Sequence, residues 1–167
     1  CGGLYSDHLV SMAGGAPEAR IIPFRGEYFA LRESARTLCK GLIYPVPDPR
    51  FPFLGVHLTK QVGGGVVCGP NAVLAMRREG YGWGDVDLHE LFSTLSYPGF
   101  LRFARKHWRV GIQELRRSLW KADFLESLRR LVPELSLEDL VPAPAGVRAQ
   151  AMGMDGALVD DFVLQRT

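Results

Sequence analysis

The 167-residue sequence predicts an α+β domain, a bent antiparallel or mixed β-sheet with a helical insertion. Three observations predict it. First, β-favouring pieces at Leu42 to Val46, Phe53 to Leu58 and Val66 to Cys68 alternate with proline and glycine clusters, the pattern of a strand meander. Second, Ile112, Leu115, Leu119, Ala122, Leu125, Leu128 and Val132 recur at three- and four-residue steps, one apolar stripe of a helix over Gly111 to Leu131. Third, an extended run from Val141 to Met152 meets an Asp155-Gly156 turn, and Leu158 to Leu164 returns as a strand.

Composition bounds the rest. The chain is 47% hydrophobic and 23% charged, which suits one globular domain with its own core and excludes disorder. A net charge of +2 predicts no nucleic-acid partner. No apolar run approaches the roughly 20 residues of a transmembrane span, and no signal peptide is visible. Three cysteines, Cys1, Cys39 and Cys68, lack metal-ligand spacing and are odd in number. They read as reduced thiols of an intracellular protein, with no metal expected. The first residue is Cys1 rather than methionine, the mark of processing or of excision from something longer.

Taken in order, residues 1–15 hold a short helix over Leu4 to Ala13, stopped by Gly14-Gly15. Residues 19–75 form the meander. Arg20 to Leu31 reads as strand, break, strand, because Pro23 interrupts the ladder and Gly26 permits a bulge. Gly63-Gly64-Gly65 fits a hairpin turn, not a phosphate loop. Ala72 to Glu79 reads as a helical turn or short helix. Residues 85–133 are the helical insertion: Asp87 suits an N-cap for Leu88 to Ser96, Pro98-Gly99 breaks that helix, and Phe100 to Trp108 precedes the long stripe. The arginines Arg116, Arg117, Arg129 and Arg130 lie off the stripe as a solvated face. Pro133 ends the helix and Ser136 to Asp139 resembles a capping box. Residues 141–167 are the closing β-hairpin.

Candidate site residues emerge from this order. Alternation in Phe53 to Leu58 places Leu54, Val56 and Leu58 on one face and His57 on the other. Tyr44, His57 and Asn71 are thus polar groups set on stiff, apolar strands, good ground for a site. Each has a plainer reading, as a core or surface residue. Arg148 sits among small and apolar groups with no adjacent acid, so its guanidinium needs an anion. That anion is Asp160 or Asp161 across the hairpin, or a substrate carboxylate. Arg25 and Glu27 flank the expected bend, with a surface ion pair as the plain reading. Gly2 and Gly3 form either a turn or a close backbone approach to a ligand.

Several segments together resemble the FAD-dependent L-2-hydroxyglutarate dehydrogenases or oxidases, members of the D-amino-acid-oxidase-like flavoproteins. They are Cys1-Gly-Gly-Leu-Tyr-Ser-Asp7, Ile22-Pro-Phe-Arg-Gly-Glu-Tyr28, Ile43-Tyr-Pro-Val-Pro-Asp-Pro49 and Phe51-Pro-Phe-Leu-Gly-Val-His57. Gly69-Pro-Asn-Ala-Val73, Arg78-Glu-Gly-Tyr81, Ala145-Gly-Val-Arg-Ala-Gln-Ala151 and Leu158-Val-Asp-Asp-Phe162 continue the match. Order and spacing agree along essentially the whole chain. The family's dinucleotide-binding Gly-x-Gly-x-x-Gly unit is absent, so the chain resembles the middle, substrate-binding part, with 1–15 the start of a flavin-contacting helix.

The resemblance implies oxidation of L-2-hydroxyglutarate to 2-oxoglutarate, with FAD as cofactor in the complete protein and oxygen or a quinone as electron acceptor. It implies a small dicarboxylate 2-hydroxy acid as the partner and a cytoplasmic protein, peripheral to the inner membrane. It assigns Arg148 to the C1 carboxylate and His57 to the hydroxyl proton. Tyr44 and Asn71 become neutral donors, Arg25 the distal-carboxylate ligand, and Gly2, Gly3 and Gly146 cofactor neighbours. Two other readings stand beside it. One is a catalytically incomplete ligand-binding or interaction domain that does not hold FAD alone. The other is a hydrolase using Cys1 as an N-terminal nucleophile.

Overall fold

The computed structural model describes residues 2–47, 53 and 55–164. Its strands are β1 (Arg20–Leu31), β2 (Leu42–Ile43), β3 (His57–Lys60), β4 (Val66–Gly69), β5 (Val73–Leu74) and β6 (Leu140–Met152). Its helices are α1 (Ser6–Met12), α2 (Leu88–Leu95), α3 (Pro98–Leu119) and α4 (Lys121–Arg129). The strands hydrogen-bond in the order β2-β3-β4-β1-β5, and β6 also pairs with β1. The α+β class expected from the sequence is what the chain adopts. It divides into two compact units, one of residues 1–25, 74–108 and 147–167, the other of 26–73 and 109–146.

The second unit is built on an antiparallel meander. β2 pairs with β3 (Leu42 opposite Thr59), β3 with β4 (Leu58 opposite Cys68), and β4 with the second half of β1 (Phe29 opposite Cys68). Gly64 makes the β3–β4 turn possible. Its φ of 83° is open to glycine at little cost, and Gln61 N–H donates to the Gly65 carbonyl at 2.8 Å. Alternation then sorts the faces: Val56, Leu58, Val66 and Cys68 are buried, while His57 and Val67 between them are only partly so. Phe124, Leu125 and Leu128 of α4 complete this apolar core, with the Phe29 ring 4.8 Å from Phe124.

The first unit holds α1, the start of β1, β5's last residue, α2, the first half of α3 and the end of β6. Its buried apolar groups are fewer and include Ile22, Phe24, Phe103 and Met152. The Phe24 and Phe103 rings meet edge to face at 5.9 Å. Asp87 caps α2 as expected, accepting from His89 and Glu90 N–H groups. The Tyr97 hydroxyl donates to the Met152 carbonyl at 3.1 Å.

Several expectations are corrected. β1 is one continuous twelve-residue strand. Pro23 has no N–H to give the ladder, yet the strand runs through it and its carbonyl accepts from Ala75 N–H. Gly26 serves close approach rather than a bulge: a Cβ there would lie 2.6 Å from Pro70 Cβ. Residues 72–79 form β5 and turns instead of a helical turn, because backbone pairing with β1 overrides local propensity. The long helix over 111–131 is two helices. Trp120 is extended (φ −120°, ψ 110°), and α3 begins as early as Pro98, with non-helical geometry at His107. Consequently Leu125 and Leu128 are buried while Ile112, Leu115 and Leu119 of the same stripe are exposed.

The return strand over 158–164 shrinks to a single bridge between Met152 and Leu158. The strand expected at 53–58 begins only at His57, and β2 ends at Ile43. Tyr44 and Asn71 therefore stand just beyond strands rather than on them. Ser136 and Asp139 do form the expected capping box. Cys39 and Cys68 are buried free thiols; Cys1 and Leu54 lie outside the described residues.

Candidate functional site

In the second unit, the structure brings Tyr44 and His57 together. Their rings stack with centroids 4.2 Å apart and an interplanar angle of 18°. The meander causes this: β2 and β3 are adjacent, with Ile43 opposite Leu58, so the neighbouring residues meet on the other face. Tyr44 is 45% exposed, which overturns the reading of it as core, and its hydroxyl lies 3.3 Å from Thr59 Oγ1. His57 Nδ1 is 3.2 Å from the Gly55 carbonyl. A carbonyl only accepts, so in this contact Nδ1 is the donor. The pair can thus present a phenol and an imidazole on one partly open surface.

Asn71 behaves differently. It is 1% exposed, its Oδ1 accepts from Glu27 N–H at 2.7 Å, and its Nδ2 donates to the Glu27 carboxylate at 2.9 Å. The Ser118 hydroxyl donates to the same carboxylate, and Ala72 N–H donates to Glu114 at 2.9 Å. Asn71 is the buried member of a partly buried network. Gly146, the last residue of this unit's second segment, has open space where a Cβ would stand.

In the first unit, Arg25 is 1% exposed and its guanidinium lies 4.4 Å from the Trp83 ring centroid. The surface-pair reading of Arg25 fails on this burial; the cation is stacked inside. Arg148 is partly buried on β6. Gly2 and Gly3 precede α1 in a 3-10 turn in which Tyr5 N–H donates to the Gly2 carbonyl at 2.9 Å. A Cβ on Gly2 would come 2.6 Å from Leu9 Cδ1, and Gly3 has φ 47°.

One pair of residues escaped the sequence reading. Arg78 donates from both terminal nitrogens to the two carboxylate oxygens of Asp7, each at 2.8 Å, with both side chains about 95% buried. Asp7 also accepts from His8 N–H (3.0 Å) and Ile21 N–H (3.1 Å). Burial pushes the Asp7 carboxyl up, but the hydrogen bonds from Arg78, Ile21 and His8 outweigh it and hold the group below the ordinary carboxylate range. The available signal was a charged residue amid the apolar positions of a short helix and an arginine seventy-one positions later, too distant to pair by spacing.

An open cleft of about 590 Å³ lies in the same unit, lined by Gly3, Ser6, Val10, Ala149, Ala151 and Val159 among others. Its walls are small and largely apolar, with Asp7, Asp160 and Asp161 also lining it. Among the described residues no helix is long and apolar enough to cross a membrane, and no cluster of His, Cys, Asp and Glu forms a metal site.

A family model described as FAD dependent oxidoreductase matches residues 1–167. The chain belongs to this family. It is 50% identical to an L-2-hydroxyglutarate dehydrogenase of Indibacter alkaliphilus over 99% of its own length. The mitochondrial enzyme of that name from Caenorhabditis elegans is also 50% identical, over 98% of the chain, and that of Escherichia coli K12 is 48% identical over all of it. The chain spans 42%, 38% and 40% of these three relatives. Family membership implies FAD. The cleft's small, apolar walls suit a flat ring system, whereas Asp160 and Asp161 do not suit a diphosphate, and the 167 residues contain no Gly-x-Gly-x-x-Gly. The residues present fit the ring end of the cofactor only.

Proposed function

We propose that this chain is the substrate-binding part of an FAD-dependent enzyme that oxidises L-2-hydroxyglutarate to 2-oxoglutarate. One observation carries the reading: identity near 50% to proteins of that name along nearly the whole chain. When bound, the flavin supplies the two-electron acceptor. The chain's own residues must then grip carboxylates, orient the alcohol and take its proton.

Arg148 is assigned to the C1 carboxylate, which a guanidinium grips with two parallel bonds. His57 takes the hydroxyl proton at Nε2, with the Nδ1 proton held toward the Gly55 carbonyl. Stacking on Tyr44 restrains the imidazole ring, and the exposed Tyr44 hydroxyl supplies a neutral hydrogen bond. Asn71 and Arg25, each 1% exposed, are assigned to shaping their surroundings rather than touching substrate. Gly2, Gly3 and Gly146 are the cofactor neighbours. Oxygen or a quinone receives the electrons. The reading includes a cytoplasmic location, peripheral to the inner membrane; the buried free thiols support a reducing compartment. The missing phosphate motif supports a second expectation, that the 167 residues alone stay colourless when mixed with FAD.

The test is expression of the complete reading frame and anaerobic addition of each enantiomer of 2-hydroxyglutarate. The L form is expected to bleach the flavin and the D form is not; an L form that leaves it yellow ends the substrate assignment. Arg148→Met is expected to raise KM by at least about tenfold, the loss of a charged hydrogen bond. An unchanged KM removes Arg148 from the site.

A further inference from the structure

The helix α1 has an odd way of being held. Of its seven residues only Asp7 is buried, while Leu9 is 49% and Met12 82% exposed. Apolar burial in α1 and the Gly2–Tyr5 turn ahead of it is only partial, at Leu4 and Val10. The directional contacts that hold it are polar, and they converge on Arg78. Besides its two bonds to Asp7, the guanidinium donates to the Leu4 carbonyl, lies 3.1 Å from His8 Nε2 and stands 5.7 Å from the Tyr5 ring centroid. The Arg78 backbone is itself anchored, its N–H donating to the Glu90 carboxylate at 2.6 Å. One side chain thus reaches Leu4, Tyr5, Asp7 and His8 from an anchor on α2.

A buried ion pair of this kind adds little net stability over apolar packing of the same volume. What it contributes is geometry. Both oxygens of Asp7 and both terminal nitrogens of Arg78 are used in a planar fork, so the turn is held in one position and one rotation. Lysine in place of Arg78 keeps the charge and loses the fork.

We propose that the Asp7–Arg78 fork is a positioning device that sets the Gly2–Gly3 backbone against the flavin ring, and so governs cofactor affinity, with Asp7 in the wall of the cleft and Arg78 behind it. This rests on the reading of Gly2 and Gly3 as cofactor neighbours. Asp7 and Arg78 are positioning residues, not catalytic ones.

The test uses the full-length protein. Apoprotein of the wild type, Arg78→Lys, Arg78→Met and Asp7→Asn is titrated with FAD, and the visible spectrum and the thermal midpoint of each apoprotein are recorded. Arg78→Lys is expected to bind FAD at least about tenfold more weakly, as for loss of a charged hydrogen bond, with a shifted flavin band. Arg78→Met is expected to be weaker still. If Arg78→Met does not fold, the near-isosteric Asp7→Asn carries the same expectation. Wild-type affinity and an unshifted band in Arg78→Lys or Asp7→Asn, with only a lower apoprotein midpoint, reduce the fork to a structural contact and overturn the proposal. A wild type that takes up no flavin overturns it too. Wild-type protein that binds FAD yet is not bleached by L-2-hydroxyglutarate defeats the substrate assignment alone, because the affinity series still decides the role of the fork.

Discussion

The two units are held by different forces. The unit of 26–73 and 109–146 closes around a contiguous apolar cluster that includes Leu58, Val66, Phe124, Leu128 and Leu135, each at most 1% exposed, with the thiols of Cys39 and Cys68 inside it. The unit of 1–25, 74–108 and 147–167 buries Asp7, Arg25 and Arg78, the charged residues that are buried among those described. Apolar packing is non-directional and tolerates a range of side chains of the right volume. Paired charges tolerate little, since a lost partner leaves a desolvated ion behind. The difference teaches where each unit places its directional contacts: one packs apolar groups and carries the Tyr44–His57 stack, the other pairs Arg78 with Asp7 beside a glycine turn.

This contrast can be broken or sharpened in three ways. The largest effect is expected from Phe124→Ala in the apolar unit, about 3–5 kcal/mol by urea unfolding, the usual cost of emptying a fully buried aromatic site. A loss under about 0.5 kcal/mol is the range of a surface change and means the cluster does not hold that unit together. A smaller effect, confined to acid, is expected in the charged unit. The folded carboxyl of Asp7 titrates below its unfolded value. Its contribution is complete above the ordinary aspartate value of about 3.9 and is lost as pH falls through the depressed folded value. Hydrogen exchange at 4–21 should therefore speed up in strong acid, and Asp7→Asn should abolish that pH dependence. The same dependence in Asp7→Asn assigns the acid response elsewhere.

The smallest effect concerns the thiols and leaves stability untouched. Burial, with Cys39 close by, pushes the Cys68 thiol up to about 12. At pH 8 almost none of it is thiolate, so alkylation of the native chain should be about a thousandfold slower than in urea, where an ordinary thiol value returns. Mass spectrometry after timed quenching reads this directly. Rapid native labelling of Cys68 would mean that the apolar unit opens far more readily than its packing implies.

Much of the fold was legible because it is written in local chemistry. The Asp87 cap, the Ser136–Asp139 box, the glycine turn at Gly64 and the alternation of Val56, His57 and Leu58 each follow from neighbours in the chain. The failures share a cause as well. The stripe from Ile112 to Val132 keeps its period across Trp120, so periodicity did not register that the helix stops there and that only its second part is buried. Pro23 looked like a break because it lacks a ladder N–H, and only the structure shows the strand running through it with its carbonyl paired to Ala75. Of the candidate site, His57 was legible from alternation, whereas its stacking on Tyr44 required the β2–β3 pairing.

The sequence by itself determined the α+β class, the family and the identities of the groups that carry chemistry, since residue types and their order need no coordinates. Only the tertiary structure decided which of those groups are used up. It buried Asn71 against Glu27 and Arg25 under Trp83, left Tyr44 open beside His57, and joined Asp7 to Arg78 across seventy-one residues. The physical reason is that hydrogen bonds and ion pairs act over a few ångströms in space, and separation along the chain places no such limit on which residues meet.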